Sequence, residues 1–69
     1  MANYRGRLLE TIKTSAKANV DRHLMNAEVL LGSHVGVAEH GDMIETIEKE
    51  LLEAAKHQDI LDIINLIGK

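Results

Sequence analysis

Two of the four histidines in this 69-residue chain, two carboxylates and two glycines fall within His34–Asp42, HVGVAEHGD. A connection this long and polar in so short a chain is where function concentrates. Three chemistries are open to it. Gly36 and Gly41 let successive backbone N–H groups face one ligand, and a helix starting at Asp42 adds free N–H groups with partial positive charge, a setting suited to phosphate. The plainer alternative is that both glycines only turn the chain and Asp42 only caps. His34, Glu39, His40 and Asp42 could gather round a metal, but their spacing matches no helix-borne pair of the HExxH kind and no cysteine assists, so no metal is assigned. Nucleophilic catalysis finds no serine or cysteine in a recognisable setting; Ser33 is a loop serine. The chain is therefore read as a binding protein, not an enzyme, with no cofactor.

Upstream, His23 falls on or beside an apolar stripe, flanked by Asn19 and Asn26. A histidine there must find partners or cost about 1–3 kcal/mol in unsatisfied burial. In one reading His23 and Asn26 form a polar clasp with a returning loop that offers Glu39 and His40. In the other, His23, Asn26, Glu39 and His40 contact a ligand's base edges or ribose, and Gly36 belongs to the backbone that would hold its phosphate. Tyr4 would then stack, and Arg5, Arg7 or Lys17 would neutralise phosphate. Glu39 repels phosphate and belongs near a base edge or behind a histidine.

The elements positioning these groups are two amphipathic helices. Leu8, Leu9, Ile12, Ala16, Val20, Leu24, Ala27 and Leu31 recur at spacings of three and four, predicting a helix from about Asn3, as cap, to Leu31. Gly32 ends it in a left-handed or flexible conformation. A loop over 32–41 follows. Asp42 with Glu45 has capping-box spacing and starts a second helix over 42–57. Ile44, Ile47, Leu51, Ala54 and Ala55 face inward, with Glu48, Lys49, Glu50 and Glu53 toward water. The run Ile60–Ile67 forms a continuation or a short third helix over 59–67. The expectation is an all-α helical hairpin, one domain over 1–69. Two helices make a poor core, so hairpins are expected to pair into an oligomeric bundle.

Composition narrows the class. There is no cysteine, proline, tryptophan or phenylalanine, and one tyrosine. A single chain of this size buries only about 60% of its unfolded surface, and small scaffolds without staples usually complete their cores by association. No signal-peptide pattern opens the chain and no apolar run is of membrane-spanning length. Net charge is −3, unevenly spread: residues 1–31 carry five Lys/Arg against three Asp/Glu, and residues 32–69 three against eight. That fits a basic helix beside an acidic one. Neither half has the basicity or aromatics of a general DNA or RNA binder.

The segment His23–Asp42, HLMNAEVLLGSHVGVAEHGD, resembles a family of very short helical proteins of tailed phages. Their pattern is His, two residues, Asn-x-Glu-Val, a Val-Gly-x-Gly-Glu-His-x-Asp loop, then an amphipathic helix. His23, Asn26, Glu28, Val29, Leu31, Val35, Gly36, Glu39, His40 and Asp42 match in register. Ala38 replaces the second loop glycine, and Gly41 stands where proline is frequent. The chain also looks like the small phage anti-defence (anti-CBASS-type) sponges, on size, helical oligomeric character and phage origin. That likeness implies a homo-oligomer in the host cytoplasm that sequesters a cyclic di- or oligonucleotide immune signal without catalysis. The competing expectation is a structural or protein-interaction module, a virion component or a binder of a host protein, with Ile60–Ile67 as its partner-facing helix.

Overall fold

The computed structural model describes residues 4–32 and 40–68. It is an all-α hairpin of two 28-residue helices, α1 (Tyr4–Leu31) and α2 (His40–Ile67). The expected cap Asn3 and the segment 33–39 lie outside the described residues. The helices run antiparallel, since the Arg5 guanidinium donates to the Ile67 carbonyl at 2.7 Å while His23 meets Glu50.

The contact seam follows a rule simpler than the stripe drawn from the leucines. On α1 the buried or half-buried positions are Gly6, Leu9, Lys13, Ala16, Val20, His23, Ala27 and Leu30; on α2 they are Met43, Ile47, Glu50, Ala54, His57, Leu61 and Ile64. Both sets step by three and four alternately, the heptad spacing that keeps one face toward a partner helix. Among the described residues, only Asn19 and Glu53, beside the seam, are half-buried off it. Among the described residues the most deeply buried are Ala16, Ala27, Ala54 and Ile64. Three alanines among four let the backbones approach closely, but they leave little apolar volume between the helices.

Several expectations shift accordingly. Leu8, Ile12, Leu24 and Leu31 on α1, and Ile44 and Leu51 on α2, are exposed rather than inward. Ala55 is exposed as well, while Glu50 and Glu53, expected in water, turn toward α1. The large apolar residues sit one position off the heptad, flanking the alanine seam.

The helix ends differ too. Gly32 does not adopt the left-handed conformation; its N–H bonds the Glu28 carbonyl at 3.0 Å, closing one more helical turn. α2 begins at His40, so Asp42 lies in the first turn rather than at the cap. Its charge still meets the free N–H groups there, and the Thr46 hydroxyl donates back to the Asp42 carbonyl at 2.8 Å. Helix α2 runs unbroken through His57–Asp59 to Ile67, so no third helix forms. The Gln58 amide donates to Asp62 at 3.2 Å across that stretch. No described helix is long and apolar enough to cross a membrane.

Candidate functional site

Midway along the hairpin the heptad seam turns polar. His23 on α1 and Glu50 and His57 on α2 occupy seam positions that would ordinarily carry leucine or valine. Their side chains are only 12%, 24% and 21% exposed. The Glu50 carboxylate gathers two donors through one oxygen: His23 Nδ1 lies 2.7 Å from Oε1, and the Asn26 amide donates to the same atom at 3.1 Å. On the ring's other side an Arg22 guanidinium nitrogen lies 3.3 Å from His23 Nε2. A guanidinium only donates, so Nε2 accepts, and Nδ1 carries the proton given to Glu50. Among the described residues no buried side-chain nitrogen or oxygen is unsatisfied.

Two turns along α2 from Glu50, the His57 ring stacks on His23 with centroids 5.9 Å apart and planes 6° from parallel. His57 Nε2 is 3.9 Å from Glu53 Oε1, four residues earlier on the same helix face. Lys56 donates to the other Glu53 oxygen at 3.0 Å. Ligand atoms of His23, Glu53 and His57 all lie within 4.8 Å of one another.

The electrostatics follow from these contacts. The His23 hydrogen bond, then that of Asn26, holds the Glu50 carboxyl below the usual range against a smaller opposing effect of desolvation. The Lys56 hydrogen bond does the same for Glu53. Both carboxylates are therefore ionised throughout the neutral range. They are acceptors and possible ligands, and lack the raised affinity for protons that a general acid needs.

The residues nominated from sequence fall into three groups. His23 and Asn26 are together, with Glu50 as a common partner. Tyr4, Arg5 and Arg7 lie at the far end of α1; Arg5 ties off the α2 C-terminus at the Ile67 carbonyl, and Tyr4 is 75% exposed. Arg5 and His23 are eighteen residues apart, about 27 Å of helix, so within one chain they do not share a small ligand. Lys17 is exposed between them. His40 opens α2, while its side chain, with Gly36, Glu39 and His34, lies outside the described residues.

Beside Arg5 an open cleft of about 490 Å³ is lined by Arg5, Gly6, Leu9, Glu10, Lys13 and the α2 C-terminal residues Ile64, Asn65 and Gly68. Its two cations are partly offset by Glu10, which lies 3.5 Å from Lys13.

Sequence reasoning missed Glu50, Glu53 and His57. The signal for the last two was present as an acid and a histidine four apart on one helix, EAAKH. The link to His23 needed the register of the hairpin. No family model, curated protein or solved structure matches the chain.

Proposed function

We propose that this protein works by binding and not by covalent chemistry, as a homo-oligomeric helical bundle built from paired hairpins. The observation supporting the reading is the apolar surface one hairpin leaves open. Leu8, Leu24, Leu31, Ile44, Leu51, Ile63 and Leu66 are each between 44% and 70% exposed, in rows along both helices. Rows of that kind on a monomer are interaction surfaces. In the form the phage-protein resemblance implies, the bundle sequesters a cyclic di- or oligonucleotide signal in the host cytoplasm. Subunit interfaces of a symmetric oligomer suit a ligand with its own two-fold symmetry. They also offer what one chain lacks, a way to bring one subunit's Arg5–Arg7 end near another's central layer. Exposed Arg7 and Lys17 are the cations available for phosphate.

The second reading is a protein-interaction or structural module, and the exposure of Ile60, Ile63, Leu66 and Ile67 along the end of α2 favours it.

Native mass spectrometry of the chain, alone and with a panel of cyclic di- and oligonucleotides, tests both. A discrete oligomer taking up whole numbers of one intact nucleotide, with uptake weakened at least tenfold in the Arg7→Ala/Lys17→Ala double variant at unchanged subunit number, supports sequestration. A discrete oligomer that takes up none of the panel moves the function to the protein-interaction reading. A monomer at every concentration overturns the homo-oligomeric bundle and leaves the apolar rows to a partner of another kind.

A further inference from the structure

The geometry points to a divalent transition-metal site of the zinc type between the helices, with His23, Glu53 and His57 as its protein ligands. It is independent of the nucleotide reading. It also differs in place from the metal arrangement the His34–Asp42 segment invites.

The donor set is the first argument. Two imidazoles and one carboxylate suit zinc and its first-row neighbours, whereas calcium and magnesium require shells made of oxygen. The second is distance. Zinc bonds of about 2.0–2.2 Å put tetrahedral ligands about 3.4 Å apart. The three ligand atoms, already within 4.8 Å of one another, reach that spacing by inward shifts of about 1 Å, within the range of side-chain torsion.

The third argument is how His23 is held. A metal-binding histidine usually donates its second ring N–H to a carboxylate, which fixes the ring and its tautomer. Glu50 does this for His23: Nδ1–H donates to Oε1 at 2.7 Å, and the lone pair is left on Nε2. That lone pair is met only by the side chain of Arg22, an exposed residue free to swing out. Glu50 is thus a positioning residue and not a ligand.

Glu53 and His57 are adjacent turns of one helix, the i, i+4 relation that places two ligands on one face. Glu53 presents Oε1 to His57 while Lys56 holds Oε2. Ring lone pairs lie in the ring planes, so with His23 held by Glu50 the near-parallel His57 ring must turn about its Cβ–Cγ bond to share one ion. His57 has room for this. It borders an open groove of about 320 Å³ lined also by Thr11, Ile12, Ser15, Asn19 and Ile60. A water would complete a four-coordinate shell.

The test is isothermal titration of the full chain with zinc chloride in a non-chelating buffer, paired with cobalt(II) absorption spectra and circular dichroism. The expected result is one zinc per chain, with affinity at least tenfold weaker in His57→Gln and in Glu53→Gln at unchanged helicity. Glu50→Gln is expected to weaken binding about 10–100-fold, the usual effect of removing a supporting partner. The cobalt bands should stay in place in that variant, because the ligand atoms are unchanged. Should His57→Gln lose its helices, Glu53→Gln decides, since its pair sits at the rim of the seam. No heat of binding at zinc concentrations up to about a hundred micromolar would overturn the site. So would a folded Glu53→Gln chain that binds as tightly as the parent, because zinc would then sit on other residues.

Discussion

At the scale of single residues, the molecule turns on a carboxylate. Glu50 ties α1 to α2 by accepting from His23 and Asn26 at one oxygen, and breaking such a network strands two donors in a partly dry seam. Its pH dependence has a definite sign. Glu50 is more acidic folded than unfolded because the His23 and Asn26 hydrogen bonds favour the ionised form. Its contribution is therefore fully present above the unfolded carboxylate range and is lost as pH falls through the folded value. Thermal melts from pH 6 down to pH 3 should show the parent losing stability over a wider span than Glu50→Gln, and the two curves should converge at the acid end. Parallel curves across the whole range would mean that Glu50 is not tied to its partners in solution. The half-buried His23 and its need for partners are legible in the sequence, because the helical period places it beside Val20 and Leu24. The partner is not. A glutamate in the run Glu48-Lys-Glu50 looks like solvated surface until the register of α2 sets it opposite a histidine.

At the scale of the helices, two helices joined across a glycine-bearing segment near 32–41 can be read from periodicity and composition. The inward face cannot be read as easily. Leucine and isoleucine weigh more than alanine in any hydrophobic count, so the stripe drawn through Leu8, Ile12, Leu24 and Leu31 rotates away from the true seam. The heptad through Ala16, Val20, His23 and Ala27 carries small and polar side chains. It wins because it lets the backbones approach and satisfies the His23–Glu50 pair. Ala27 tests this directly, being 3% exposed. Ala27→Leu adds volume at a buried seam position and should cost about 1–3 kcal/mol by overpacking, measured by urea unfolding. A neutral or stabilising result would mean that the helices stand further apart at that level than the seam requires.

At the scale of the whole molecule, one hairpin is thin for its length. It is about 15 × 12 Å across its short axes, with a radius of gyration of 16.3 Å, against about 11 Å for a compact chain of this length. Its accessible surface is 5456 Å², about 1,200 Å² above the roughly 4,300 Å² of a compact monomer of its mass. A standard interface removes about 800 Å² from each partner, so association of the flanking rows brings the exposure back toward that of a globular protein. The uneven charge favours the same step, because the basic first half of one chain can lie against the acidic second half of another. Folding and association should then be one process, and the melting temperature should rise with protein concentration. Circular dichroism melts at about 2 and 200 µM are expected to differ by several degrees for the parent. Leu24→Glu/Leu51→Glu alters only exposed flank positions (44% and 46% exposed). It should give a sedimenting monomer with reduced helicity and a melt independent of concentration. If the parent melts identically at both concentrations and sediments as a monomer, the alanine seam alone sustains the fold, and the apolar flanks must be kept for a partner of another kind.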